Sequence, residues 1–254
     1  MRSLIVAFAM YTRIPMPKVR WTERSLRYAM SFFPLIGVLI GGLQVLLWWI
    51  CHLLHFGTLL QSALLCALPV LVTGGIHLDG FCDTVDALNS RKPREEKLEI
   101  LKDPHTGVFA VVFCCVYFLT QFGLFAEIVS WRTVLAVGLE YVLSRSLSAG
   151  ALMLFRSAKP SGTAYRFKSQ AGRKTVLVCA LLYMALSFAA LGVLNVYMML
   201  IVLGMCALTL LCYRLISYRQ FGGVTGDLAG WFLQLCELMI LLSVAFSRCV
   251  GIMS

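Results

Sequence analysis

Long, nearly unbroken apolar runs separated by short polar stretches dominate the chain. Seven of them reach or approach the roughly 20 residues a helix needs to cross a bilayer: residues 34–54, 58–76, 107–129, 133–155, 175–191, 197–213 and 228–246. The fifth and sixth are short, and residues 192–195 between them have the composition of a tight turn. A further apolar run, residues 4–11, is too short to span and is closed by Thr12-Arg13-Ile14-Pro15. No small-residue cleavage site follows it, so it reads as a short interfacial or re-entrant helix rather than a signal peptide. The pattern predicts an all-α fold, a polytopic membrane helix bundle of about seven transmembrane helices with a short N-terminal interfacial helix. Residues 1–254 read as one domain, with neither an internal repeat nor a low-complexity linker.

Composition excludes the soluble alternatives. Hydrophobic residues make up 60% of the chain and charged ones 13%, against about 45–50% and 25% in ordinary soluble domains. A disordered chain, a disulfide scaffold and a collagen-like chain are excluded by the same figures. The ten cysteines lie mostly within apolar runs and form no C-x-x-C pair, so they read as free thiols behaving as small hydrophobes. The net charge of +10 does not point to nucleic acid, because no basic helix is interleaved with stacking aromatics. It marks topology instead. Nineteen of the 22 Lys and Arg fall in residues 1–33, 77–106, 156–174 and 214–227, and only two in the segments that alternate with them. The positive-inside rule then puts the N-terminus and these long loops in the cytoplasm.

Seven of the twelve acidic residues lie between residues 79 and 103. In His77-Leu78-Asp79-Gly80-Phe81-Cys82-Asp83-Thr84-Val85-Asp86 the aspartates are spaced i, i+4, i+7. At about 100° per residue all three share one helical face, where like charges repel. A cation between them reverses the sign of that interaction, and Mg²⁺ is commonly held by carboxylates together with substrate phosphates. A solvated helix face explains the acidity, but not why three poor helix formers align behind Thr73-Gly74-Gly75 at a membrane boundary. A second acidic helix is predicted from Pro93 to Pro104, with Glu95, Glu99 and Asp103 on one face. Asp103 opens the turn Asp103-Pro104-His105-Thr106-Gly107 that re-enters the membrane.

Two more polar features lie near or within apolar runs. Phe221-Gly222-Gly223-Val224-Thr225-Gly226-Asp227 precedes the last span. Such a turn lets backbone N–H groups approach phosphate oxygens at a helix N-terminus, although Asp227 also suits a plain N-cap. Arg145 inside the fourth run is costly unless it is paired or faces a polar cavity, and Glu140 and Glu237 are candidate ion-pair partners. The four histidines show no metal-ligand spacing.

Several of these blocks resemble one family. Thr73-Gly74-Gly75-Ile76-His77-Leu78-Asp79-Gly80 with Asp83 and Asp86, Leu98-Glu99-Ile100-Leu101-Lys102-Asp103 followed by Gly107, and Gly223-Val224-Thr225-Gly226-Asp227 are similar to the signatures of the adenosylcobinamide-GDP ribazoletransferases, also called cobalamin synthases. Thr12-Arg13-Ile14-Pro15, Phe33-Pro34-Leu35-Ile36-Gly37 and Ser144-Arg145 fit as well, in the family's order along nearly the whole chain. Pro104 departs from the pattern where Ser is more usual, as do Leu228-Ala229-Gly230 and residues 156–172, including Lys159-Pro160-Ser161-Gly162-Thr163.

The resemblance implies a Mg²⁺-dependent enzyme of the prokaryotic cytoplasmic membrane, acting on the cytoplasmic side. A ribose hydroxyl of α-ribazole or its 5′-phosphate attacks the corrinoid-side phosphorus of adenosylcobinamide-GDP, and GMP leaves. On that basis Asp79, Asp83 and Asp86 bind Mg²⁺, and Asp103 and Asp227 complete the cage. Arg13, Lys102 and Arg145 are candidate phosphate partners, and the backbone of residues 222–226, with Gly222, Gly223 and Gly226, is a candidate cradle. His77 or a carboxylate such as Asp86 takes the hydroxyl proton, although on a helix His77 points about 160° away from Asp79. The expected partners are the two substrates, the bilayer and other corrinoid-assembly enzymes. The alternatives are another membrane Mg²⁺-dependent diphosphate transferase, of prenyl or CDP-alcohol type, and a cation-coupled transporter.

Overall fold

The computed structural model describes residues 2–158, 168–169 and 171–252; the Lys159-Pro160-Ser161-Gly162-Thr163 segment lies outside them. The described residues are mostly helical. The helices are α1 (Arg2–Tyr11), α2 (Glu23–Ala29), α3 (Phe33–Leu53), α4 (Thr58–Thr73), α5 (Ile76–Asn89), α6 (Arg94–Ile100), α7 (Val108–Ala126), α8 (Trp131–Leu154), α9 (Arg173–Leu194), α10 (Val196–Ile216) and α11 (Gly226–Cys249). A 3₁₀ turn, Met30–Phe32, joins α2 to α3, and a π turn, Ser217–Phe221, ends α10.

Local chemistry sets most of the boundaries. Thr22 and Ser130 open α2 and α8 with reciprocal capping boxes, each satisfying orphan N–H groups of a helix start. Asn195 breaks the apolar run between α9 and α10 and accepts from Tyr197 N and Met198 N, at the turn expected from composition. The acidic helix is shorter than its pattern predicts. It stops at Ile100, and the N–H groups of Lys102 and Asp103 reach back only three residues, to Glu99 O and Ile100 O. Pro104 disfavours a helical conformation at Asp103, so the chain tightens and leaves the helix before Asp103 can join its face.

Among the described residues, five helices are long and apolar enough to cross a membrane, or six if the bent pair α4–α5 counts as one span. The expected seventh, α8, spans 24 residues but is less apolar than those five. Glu140, Ser144, Arg145, Ser146 and Ser148 are all buried, so its polar groups face protein rather than lipid. Helix α8 is the axis of the bundle, packed against α3, α9 and α11. Gly37 and Gly41 of α3 bring its backbone onto α8: a Cβ at either would fall 2.2 Å from Tyr141 O or 2.1 Å from Gly138 O. Small residues four apart commonly allow such close helix contact in membranes. At the far end of the bundle Glu127, just past α7, pairs with Arg248 in the last turn of α11.

Candidate active site

Helix α5 is the element that differs most from a simple bundle. Gly74 (φ +67°) and Gly75 (φ +77°) occupy the left-handed region, which glycine enters without steric cost, and the chain turns by 96° between α4 and α5. Helix α5, in the segment 77–106 that the charge pattern assigns to a loop, therefore meets the N-terminal ends of α7 and α11.

Its contact with α11 is set by two glycines. A Cβ on Gly80 would fall 2.8 Å from Asp227 O and 2.9 Å from Asp227 Cα, and one on Gly230 would fall 2.9 Å from His77 O. Only hydrogen atoms fit at either point, so the two backbones meet there. Asp79 and Asp83, on either side of Gly80, are thereby brought to Asp227 in the first turn of α11. Asp79 is exposed, and Asp83 and Asp227 are half-buried. Burial, followed by the charges of Asp79, Asp227 and Asp86, pushes the Asp83 carboxyl up to about 7. The cluster thus stores mutual repulsion, partly offset by the positive end of α11. Thr225, the N-cap, accepts from Leu228 N, so the capping role foreseen for Asp227 falls to Thr225 and the Asp227 carboxylate stays with the cluster.

The other expected ligands go elsewhere. Both oxygens of Asp86 are engaged by the start of α7, accepting from Gly107 N at 2.7 Å and Ala110 N at 2.9 Å. Gly107 is the N-cap residue and has no side chain to cap with, so Asp86 caps α7 from another helix. Asp103, 53% exposed, accepts from His105 N at 2.9 Å and lies 2.7 Å from His105 Nδ1. These bonds hold its carboxyl below the ordinary value. The five-aspartate cage is not assembled. Among the described residues no three carboxylate, imidazole or thiolate side chains converge on a point where they could hold one ion. Asp79, Asp83 and Asp227 fit a different mode, in which one or two carboxylates hold Mg²⁺ whose shell is completed by phosphate and water.

The remaining candidates divide between surface and interior. Exposed Arg13 lies over Gly74, where a Cβ would fall 2.2 Å from its Nε, and its backbone N–H bonds Val72 O at 2.8 Å. This ties the Thr12-Arg13-Ile14-Pro15 block to the elbow from which α5 starts. Exposed Lys102 bonds both carboxylate oxygens of Glu99 at 2.9 Å. Arg145, 1% exposed, pairs with Glu237 at 2.6 Å and bonds Tyr141 O at 3.1 Å. Ser144 Oγ donates to the same Glu237 oxygen at 3.0 Å. The guanidinium is thus a buried tie between α8 and α11, sealed from solvent. His77 is buried against the rings of Tyr11 and Phe33, on the side of α5 facing away from the aspartates. In the glycine turn, the N–H groups of Gly222 and Gly223 bond Ser217 O, and that of Val224 bonds Arg156 O. Those donors serve the turn itself, and the backbone cradle is reduced to the α11 start at Gly226.

A match to the family model described as cobalamin-5-phosphate synthase extends over residues 3–245. The chain belongs to this family. A relative from Lachnoclostridium phytofermentans, named adenosylcobinamide-GDP ribazoletransferase, is 43% identical over 98% of this chain and 95% of its own length. Proteins of the same name from Desulfitobacterium hafniense and Clostridium botulinum are 34% and 32% identical, covering 95% and 98% of this chain and 96% and 97% of their own. No solved structure matches. Family and relatives identify a transferase of cobalamin biosynthesis, deciding against the prenyl, CDP-alcohol and transporter alternatives.

Proposed function

We propose that the enzyme transfers the corrinoid phosphate of adenosylcobinamide-GDP to a ribose hydroxyl of α-ribazole or its 5′-phosphate, at a site formed by Asp79, Asp83 and Asp227. The observation that carries this reading is the Gly80–Gly230 crossing, which sets the carboxylate-bearing turns of two separate family blocks side by side at the protein surface. The hydroxyl oxygen bonds to the corrinoid-side phosphorus, the bond from that phosphorus to the bridging oxygen breaks, and GMP leaves with the electron pair. The hydroxyl proton passes to a carboxylate rather than to His77, whose ring is walled in by Tyr11 and Phe33. Mg²⁺ held by these carboxylates supplies charge neutralisation at the pyrophosphate, the main requirement of phosphoryl transfer. Arg13, exposed over the Gly74 elbow between α4 and α5, is placed to meet the phosphates from the α1 side.

The basic loops support placing this face in the cytoplasm of a prokaryotic cell. The test is GMP release from adenosylcobinamide-GDP by purified protein. Asp83→Asn is expected to stay folded and membrane-inserted while losing Mg²⁺-dependent turnover; near-parental turnover overturns the assignment.

A further inference from the structure

The glycine turn before α11 gathers cations from three elements distant in sequence. Arg94 at the start of α6 lies against Gly222, where a Cβ would fall 1.9 Å from its Cζ. Arg156, just past α8, donates Nε–H to Gly222 O at 3.0 Å, and its Cζ stands 5.1 Å from the centre of the Tyr218 ring. Arg214, in the last turn of α10, stands 5.6 Å from the same ring and 5.8 Å from that of Phe155. All three arginines are exposed. Among the described residues none of them forms an ion pair with a carboxylate.

Three guanidinium groups gathered without a counter-charge repel one another unless an anion joins them. The aromatic rings hold two of them by cation–π contact, and the Gly222 carbonyl orients Arg156, so their positions are set before a ligand arrives. Planar guanidinium forks match phosphate oxygens in bidentate fashion. Asp227 follows Gly222 by only five positions, so the cationic group and the carboxylates occupy the two ends of one short turn.

We propose that Arg94, Arg156 and Arg214 form the subsite for the phosphate of the leaving nucleotide. The subsite rests on the reaction proposed above, and it stabilises charge developing on GMP as the bridging bond breaks. An anionic lipid headgroup offers the same phosphate chemistry, so both ligands enter the test.

The purified full chain is titrated with GMP by calorimetry in neutral detergent, then in nanodiscs with and without phosphatidylglycerol. Arg214→Gln and Arg156→Gln are each expected to weaken GMP binding about tenfold or more, and to raise the GMP product-inhibition constant equally, with the KM for α-ribazole unchanged. Among the described residues the Arg214 side chain is held by ring contacts alone, so its variant is expected to shift the melting temperature little and to report binding rather than folding. Arg156→Lys keeps the charge but not the fork, and is expected to recover part of the loss. Unchanged GMP affinity in both glutamine variants overturns the subsite, as does arginine-dependent binding of phosphatidylglycerol without binding of GMP. If the parent turns substrate over while GMP binding ignores the arginines, the subsite alone fails. If GMP binding depends on the arginines but no corrinoid product forms, the subsite stands and the assigned reaction fails.

Discussion

Replacing Gly80 by Ala tests how the site is built. The added Cβ would lie 2.8 Å from Asp227 O and 2.9 Å from Asp227 Cα, where 3.4 Å is the near limit of ordinary contact. Both obstructing atoms are backbone, so no side chain can swing aside. The helices must separate by about 0.6 Å, the shortfall of the 2.8 Å approach from that 3.4 Å limit. Overpacking of this kind costs about 1–3 kcal/mol, and sub-ångström misplacement of reacting groups costs roughly tenfold to a hundredfold in rate. The assay is GMP release by the purified variant, paired with its melting temperature. Gly123→Ala on α7 is the control, since a Cβ there meets nothing within 4 Å. It is expected to leave rate and stability at parental values or slightly raise stability. Parental turnover and melting temperature in Gly80→Ala would refute the claim that this crossing sets the aspartate geometry.

Three further outcomes are expected from the same structure. Asp86→Ala removes the cap of α7 and is expected to cost about 1–2 kcal/mol of stability, seen as a lower melting temperature with Mg²⁺ affinity retained; the reverse pattern would make Asp86 a ligand. Glu237→Gln leaves Arg145 buried without its counter-charge and is expected to cost about 3–5 kcal/mol, read as loss of a monodisperse peak in detergent. Because burial and the neighbouring carboxylates push the Asp83 carboxyl up to about 7 in the folded protein, well above its ordinary value, this group holds more proton in the metal-free folded state than in the unfolded state between about pH 4 and 7. Its contribution to stability therefore falls as pH rises through that window. Melting curves are expected to show this fall, to show it reversed by Mg²⁺ at pH above about 7, and to show it flattened in Asp83→Asn.

The apolar runs foretold most of the bundle because burial in lipid leaves a signature in every span. Helix α8 shows the limit of that reading: its buried Ser144 and Arg145 are answered by Glu237 of α11, and only packing reveals that. Helical periodicity correctly placed Asp79 and Asp83 on a shared face. Asp86 shares it too, but the start of α7 reaches its carboxylate first, and the pattern within α5 cannot tell which helix end abuts it. The clue was Gly107, an N-cap position without a side chain. Glu140 and Glu237 were both plausible partners for Arg145, and the register between α8 and α11 selects Glu237. The arginines around Gly222 come from α6, the end of α8 and α10, so no local spacing marks them as a group. The 96° elbow at Gly74-Gly75 was legible only as a break, because two adjacent glycines permit many directions.

Carboxylates of α5 and α11 holding one divalent cation together with the substrate pyrophosphate are the core of the proposed reaction. Electron paramagnetic resonance of Mn²⁺, titrated into the purified enzyme with adenosylcobinamide-GDP, measures this directly. The expected result is a substrate-dependent bound signal in the parent that is lost in both Asp83→Asn and Asp227→Asn. An undiminished signal in both variants would contradict it.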